Sequence, residues 1–197
     1  MKWSRTAPTA TSGSARRARR ARAAADYGVD AAYDAFVHAT TPSDIEPVDP
    51  RRVRTLTWRR QLPVPPEVAW SHFLAELWIG GAGFGPRPEI VERGDDHGTG
   101  CTRRIGPGAR GVLERIVATD HPHHLEYRVM NPSWRTFPVD HHAGTVAFAA
   151  TGGGSEVRWR VDLVPKRGAG LVVDVATRFV IGRYLVALER ACARAGA

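Results

Sequence analysis

The sequence predicts an α+β domain in which an antiparallel sheet of about seven strands packs on one long C-terminal helix. Two patterns predict this fold. Short stretches alternate apolar and polar residues between turns, most clearly at 157–163. The last stretch, 169–195, instead repeats apolar residues every three or four positions, as an amphipathic helix does.

The domain is expected to open with one strand and two short helices. Apolar residues alternate over 55–62, which predicts the strand. Pro66 suits the first turn of the helix that follows, and a second short helix is predicted over 75–79. The segment 80–88 contains four glycines and two prolines and therefore predicts a loop.

Six further strands are predicted, each followed by a turn or loop. The glycines of the turn 151–154 suit a hairpin between the last two strands. The six strands are predicted at 89–93, 101–105, 112–119, 124–129, 145–150 and 156–164, with 131–140 as a longer loop.

The closing helix is predicted over 169–195. Asp174 near its start and Arg190 and Arg194 near its end complement the helix dipole. Its predicted apolar face consists of Leu171, Val175, Phe179, Gly182, Leu185, Leu188 and Cys192.

The N-terminal part of the chain differs from the rest in composition. Residues 1–25 carry seven Lys or Arg and no acid, whereas residues 26–50 carry six acids and no Lys or Arg. Three prolines within 40–53 are typical of a linker. We therefore expect a disordered or partly helical tail and linker over 1–53 and a folded domain over 54–197.

Charge and hydropathy limit the partners and the compartment. The net charge of +8 predicts a scattered basic surface, with no specific nucleic-acid partner and at most weak contact with membrane surfaces. The Arg-rich segment 16–22 is compatible with nucleic-acid or anionic-lipid binding, or with no role. No apolar stretch is long enough for a membrane span or a signal peptide. Cys101 and Cys192 predict reduced thiols and a cytoplasmic protein.

Four sequence motifs occur in an order that resembles a known superfamily. They are QLPVPPEVAWSHF (61–73), GTGCTRR (98–104), VLERIVATDHPHHLEYRV (112–129) and GSEVRWRVDL (154–163). Together they resemble the polyketide cyclase/dehydrase branch of the SRPBCC, or START-like, superfamily. The resemblance covers the chain from about residue 51 onward. It implies a helix-grip fold, with a ligand cavity between sheet and helix, and it implies no metal or cofactor.

Two residues are candidates for acid–base chemistry in such a cavity. Glu114 lies on a predicted strand face with Val112, Ile116 and Ala118, so burial could perturb its carboxyl group. Alternatively it pairs with a neighbouring arginine, Arg103 or Arg158, or reaches solvent. Tyr127 could donate a hydrogen bond to a ligand carbonyl, or could be an ordinary core tyrosine.

Large side chains could line the cavity and bind a flat or polycyclic ligand. The alternative is that the aromatic residues only fill the core. The predicted ligand-binding residues are Trp58, Trp78, Arg103, Phe148, Trp159 and Phe179.

Five histidines lie between 121 and 142, three of them (His121, His123 and His124) in a predicted turn and two (His141 and His142) just before the next predicted strand. Adjacent histidines on exposed turns seldom converge on a metal. We therefore expect no metal site. No P-loop or dinucleotide motif occurs, so no nucleotide cofactor is expected either.

The predicted function is binding of a hydrophobic small molecule, lipid-like or polyketide-like, in the cavity. The alternative is a cyclase/dehydratase-type enzyme in which Glu114 or Tyr127 assists proton transfer. A third, weaker hypothesis is a protein-interaction module. The sequence leaves the ligand and the oligomeric state open.

Overall fold

The computed structural model describes residues 49–83 and 85–196, and it confirms the predicted order of elements. The expectations for the N-terminal tail concern residues that lie almost entirely outside these ranges. The elements are β1 (Arg54–Leu62), α1 (Pro66–His72), the π-helical α2 (Phe73–Ile79), β2 (Glu89–Glu92), β3 (Thr102–Ile105), β4 (Val112–Asp120), β5 (His124–Val129), β6 (Val139–Thr151), β7 (Gly154–Pro165) and α3 (Gly170–Ala195).

The seven strands form one curved antiparallel sheet in the order β1-β7-β6-β5-β4-β3-β2. The first strand therefore pairs with the last, while β2 to β7 follow one another as a meander. Alternation puts one set of side chains on the inner face, toward the helices. Trp159 of β7, for example, pairs with Trp58 of β1 and with Val146 of β6.

Strand β6 starts earlier than predicted, at Val139 instead of residue 145. Its inner face runs back from Phe148 and Val146 through Gly144 to His142, all of them buried. A glycine and a histidine interrupt the apolar pattern there, so hydropathy alone marked only the apolar part of the strand. His141 and His142 consequently belong to a strand and not to a turn.

Strand β4 contains a register shift that the sequence did not reveal. Glu114 and Ile116 face inward as predicted, and Ile116 pairs with Tyr127. The register then shifts, so that Ala118 lies opposite Glu126 and Thr119 lies opposite the buried Leu125. A β-bulge adds one residue and inverts the alternation beyond it. The predicted face is therefore correct up to Ile116 and wrong at Ala118.

The first half of α3 presents a different face to the sheet than predicted. Leu171, Val175 and Phe179 are 76%, 59% and 63% exposed, whereas Val173 and Ile181 are buried. This part of the helix is apolar on both sides, so the period could not select the packed side. The remainder of the buried face agrees with the prediction, since Leu185, Leu188 and Cys192 are buried.

The core lies between the sheet and the three helices. Trp70 and Phe73 enter it from α1 and α2, and Phe148 and Trp159 enter it from the sheet, each at most 2% exposed. Cys101 and Cys192 are both buried and unpaired. Within the described ranges, no helix has the length and apolar character needed to cross a membrane.

Candidate functional site

The inner face of β3, β4 and β5 brings the two predicted acid–base residues and Arg103 close together. Arg103 lies directly opposite Glu114 in the antiparallel register. Tyr127 lies opposite Ile116, two residues from Glu114 on the same face, and is therefore its diagonal neighbour. Alternation of the strands thus places all three side chains toward the helices, as the sequence predicted.

Glu114 and Arg103 form a buried ion pair. The Arg103 Nε and Nη2 atoms donate to Glu114 Oε2 over 2.9 and 2.7 Å. The Arg103 side chain is only 2% exposed and the Glu114 side chain only 13%. One of the alternatives left open by the sequence, a pair with a neighbouring arginine, is therefore realised. No hydrogen bond to Glu114 Oε1 is present among the described residues, which leaves this atom able to accept one.

Further contacts fix the Arg103 guanidinium. Its Nη1 donates to the carbonyl oxygens of Leu77 and Trp78, both over 2.9 Å, at the end of α2. Its central carbon lies 3.9 Å from the Trp78 ring centroid, a cation–π distance. Burial disfavours the charged form, but the adjacent Glu114 carboxylate, together with Tyr184 and Tyr127, outweighs it and raises the pKa of Arg103 above its usual value. Arg103 therefore connects the sheet to α2.

Tyr127 is held in the same cluster by aromatic contacts and one hydrogen bond. Trp159 Nε1 donates to the Tyr127 hydroxyl oxygen over 3.0 Å. The Tyr127 ring packs edge-on against Trp78, with centroids 5.2 Å apart. Burial, followed by the negative charge of Glu114, raises the pKa of Tyr127 far above its usual range. The phenol thus stays protonated, and its own hydrogen finds no acceptor among the residues described.

His142 is a member of this cluster that the sequence analysis missed. Its ring centroid lies 5.5 Å from that of Tyr127, and the side chain is buried. Burial lowers the pKa of His142 to about 4, so the imidazole is neutral at pH 7. Its Nδ1 has no hydrogen-bond partner among the described residues. The period-two spacing of 142, 144, 146 and 148 is the signal that could have found it.

Two aromatic residues that were not predicted as ligand-binding, Phe73 and Tyr184, connect the predicted aromatic residues of the sheet and α2. Phe73 of α2 is central to these contacts, with centroid distances of 6.5 Å to Trp78, 6.0 Å to Phe148 and 5.4 Å to Trp159. Tyr184 of α3 stacks on Trp159 at 5.9 Å. The aromatic side chains therefore form one continuous cluster.

Two predicted ligand-binding residues lie at the margin of this cluster or outside it. Trp58 is partly buried and packs against the core from β1. Phe179 is 63% exposed on the outer face of α3, and the assignment of Phe179 to the inner wall is therefore corrected. The exposed Trp134 also lies away from the cluster, in the loop before β6.

The inner face presents a few polar groups surrounded by aromatic side chains. Over the described residues, no group of three or more His, Cys, Asp or Glu side chains is arranged to hold a metal ion. What the face offers instead is a neutral hydroxyl donor, a neutral imidazole and a carboxylate oxygen. Such groups can orient one polar atom of an otherwise apolar molecule.

Comparison with known proteins adds a family match. Residues 53–195 match the family described as polyketide cyclase/dehydrase and lipid transport. No protein of curated function matches the sequence significantly.

Solved structures with the same fold are distant in sequence. The di-domain ARO/CYC StfQ from the steffimycin biosynthetic pathway is 14% identical with a TM-score of 0.59, and the match covers 75% of this chain and 53% of StfQ. Truncated norcoclaurine synthase from Thalictrum flavum is 14% identical with a TM-score of 0.55, covering 76% and 96% of the two chains. Ara h 8.0201 is 21% identical with a TM-score of 0.52, covering 70% and 95%. At these identities the structural likeness establishes the helix-grip fold alone.

Proposed function

This chain belongs to the polyketide cyclase/dehydrase and lipid transport family, and from that premise we propose that it binds a hydrophobic small molecule between the sheet and α3. One observation carries the proposal. The Tyr127 hydroxyl is buried on the inner face, accepts from Trp159, and keeps a hydrogen for which the described residues offer no acceptor. A buried donor without an acceptor is unfavourable, and a ligand carbonyl would satisfy it.

The surrounding side chains favour an apolar ligand with a flat ring system. Trp78 and Trp159 contact the Tyr127 ring, and Phe73 and Phe148 continue the same aromatic cluster. Offset and edge-on contacts with such rings stabilise a polycyclic ligand beyond the burial of its area. The rings contact one another in this structure, so ligand binding requires that some of them repack. A polyketide-like or lipid-like molecule with one carbonyl oxygen fits these requirements.

The second candidate is a cyclase/dehydratase-type enzyme, and the free acceptor atom of Glu114 favours it. Glu114 Oε1 could take a proton from a substrate carbon or hydroxyl group while Tyr127 donates a hydrogen bond to a neighbouring carbonyl. The raised pKa of Tyr127 suits a hydrogen-bond donor that keeps its proton. The ion pair with Arg103 neutralises Glu114, however, which argues for binding as the first function.

The binding proposal is tested with a pair of ligands that differ by one carbonyl group. Native mass spectrometry of the purified full chain first establishes whether a small molecule is retained. Fluorescence titration then compares fluorenone with fluorene. We expect fluorenone to bind more tightly by about threefold to tenfold, the contribution of one neutral hydrogen bond. Tyr127→Phe should abolish this preference while fluorene still binds.

The control is Tyr33→Phe, the same chemical change at a tyrosine outside the described residues. This variant should keep the preference for fluorenone. If wild type binds neither compound, the binding proposal fails. If the preference survives in Tyr127→Phe, the hydroxyl is not the recognition group.

A further inference from the structure

One end of the domain, called here the basic end, is formed by four connecting segments. Antiparallel pairing brings them together, because β2, β4 and β6 begin at this end while β3, β5 and β7 finish there. Asn131 Nδ2 donates to the Gly111 carbonyl oxygen over 2.9 Å, and the Lys166 amide donates to the Pro138 carbonyl oxygen over 3.0 Å. The four segments are 85–88 before β2, 106–111 before β4, 130–138 before β6 and 166–169 before α3.

The basic end carries positive charge that is not neutralised. Each of its four segments contributes one exposed arginine, and within the described ranges none of these arginines forms an ion pair. Neighbouring carboxylates are already engaged, since Glu89 pairs with Arg104 and Asp174 pairs with Arg54. Such an excess of one charge favours an anionic partner. The four arginines are Arg87, Arg110, Arg135 and Arg167.

Large apolar side chains are exposed at the same end. Two of them lie in the segment before β6, and four lie on the outer face of the first half of α3. Positions 171, 175 and 179 follow one another every fourth residue, so they form one continuous stripe. Apolar side chains grouped in this way are typical of an interaction surface. The six residues, 52–76% exposed, are Met130, Trp134, Leu171, Val172, Val175 and Phe179.

The opposite end of the domain does not combine these two properties. Its charges offset one another, with the exposed Asp95 and Asp96 close in sequence to Arg93. Among the described residues, its turns expose no large apolar side chain. Helix α3 finishes at this opposite end, since a Cβ built on Gly196 would lie 3.3 Å from the Pro63 carbonyl oxygen. The interaction surface is therefore confined to one end of the domain and the adjoining half of α3.

An anionic membrane surface meets both requirements of the basic end. Arginine side chains bind phosphate groups, and tryptophan and aliphatic side chains enter the boundary between headgroups and acyl chains. A nucleic acid would engage the arginines and Trp134, but it would leave the aliphatic Leu171 and Val172 uncovered. A second copy of the chain would bring equal positive charges together.

We propose that the basic end docks on a bilayer that contains anionic phospholipids, with Trp134 and the α3 stripe at the level of the headgroups. Each arginine held near such a surface raises the affinity by about fivefold, so the four arginines together supply much of the attraction. The six apolar side chains then add the burial of their exposed area. The inference does not rest on the binding function proposed above.

The test records whether the basic end itself meets the bilayer. In the full chain, Leu171→Cys or Met130→Cys is labelled with an NBD fluorophore, whose emission shifts to the blue in an apolar environment. Cys101 and Cys192 are buried and react slowly, and mass spectrometry verifies single labelling. With vesicles of equal parts phosphatidylcholine and phosphatidylglycerol, we expect a blue shift of both labels that weakens as salt is added. Pure phosphatidylcholine should give little shift.

Matched variants separate this surface from the rest of the chain. A label at Ala193→Cys, exposed near the end of α3, should not shift. Arg135→Glu with Arg167→Glu should raise the lipid concentration for a half-maximal shift at Leu171→Cys at least about thirtyfold, because two arginines are lost. Arg93→Glu with Arg194→Glu makes the same change in net charge at the opposite end and should raise it less than about threefold. Circular dichroism should show the same folded domain in every variant.

Three results would overturn the proposal. The first is the absence of a shift with the anionic vesicles; if the chain nevertheless sediments with them, the Arg-rich segment 16–22 is the lipid contact. The second is an equal shift with pure phosphatidylcholine, which would show that the arginines recognise no charge. The third is an equal shift with soluble polyglutamate in the absence of lipid, which would assign the surface to an acidic protein partner.

Discussion

Replacing Glu114 by glutamine tests whether the buried ion pair is structural. The change keeps the shape of the side chain and removes its charge. Arg103, only 2% exposed, would then keep a positive charge in the core without a counter-ion. Its hydrogen bonds to the Leu77 and Trp78 carbonyls and its contact with the Trp78 ring remain.

These contacts set the size of the expected effect. Removing one partner of a buried ion pair typically destabilises a protein by about 3–5 kcal/mol. Because the two carbonyls and Trp78 still stabilise the Arg103 cation, we expect the lower end, about 3 kcal/mol. At a urea slope of about 2 kcal/mol per molar, the unfolding midpoint should fall by about 1.5 M.

The matched control is Glu89→Gln. Glu89 also pairs across strands with an arginine of β3, Arg104, over the same 2.7 Å, but 64% of its side chain is exposed. Its loss should change the free energy of unfolding by less than about 1 kcal/mol. Both variants are compared with wild type by urea unfolding, and ligand occupancy is measured by native mass spectrometry.

An unchanged urea midpoint for Glu114→Gln would refute a structural role of the ion pair. If that stable variant also lost its ligand, Glu114 would serve ligand handling instead of the fold. A destabilised variant with normal occupancy would establish the structural role.

Two further predictions concern glycine substitutions and the buried histidines. Gly144→Ala should destabilise the protein by about 1–3 kcal/mol, because the added Cβ would lie 2.1 Å from the buried Tyr127 ring. Gly182→Ala should stabilise the protein by about 0.5–1 kcal/mol, because a Cβ at this position in α3 has no atom within 4 Å. Equal effects of the two variants in thermal unfolding would contradict both expectations. Stability should also fall as pH decreases from about 6.5 to about 4. In the folded state the buried His142 and His124 have pKa values of about 4, whereas in the unfolded state both histidines bind a proton near pH 6.5. Over this pH range the unfolded state therefore binds more protons than the folded state and is favoured as pH falls. His142→Gln should remove part of this decline in urea midpoints, because His124 and His141, whose pKa values burial also lowers, still contribute. An unchanged slope would disprove the burial of His142 as a neutral imidazole.

The sequence predicted those parts of the site that depend only on strand alternation. Glu114 and Tyr127 face inward because each lies in a short strand whose period-two pattern is uninterrupted at that point. Trp78 and Trp159 were selected by size and apolarity as residues that line a cavity or fill the core, and both are buried. These are local properties, and the sequence encodes them directly.

Other features required the position of a second element. The choice of Arg103 over Arg158 as the partner of Glu114 follows from the pairing of β3 with β4, which no local pattern specifies. His142 entered the cluster because β6 extends past its apolar part to pair with β7. The outward position of Phe179 follows from how α3 rotates onto the sheet.

The sequence alone determined the fold class, the order of its elements and the inward direction of the central side chains. These follow from periodicity and turn composition, which are properties of neighbouring residues. The tertiary structure alone decided that Glu114 is neutralised by Arg103 and that the Tyr127 hydroxyl accepts from Trp159. Such contacts join residues far apart in the chain, and their geometry depends on helix rotation and on strand register. A shift of one residue in that register turns every side chain of the strand to the other face.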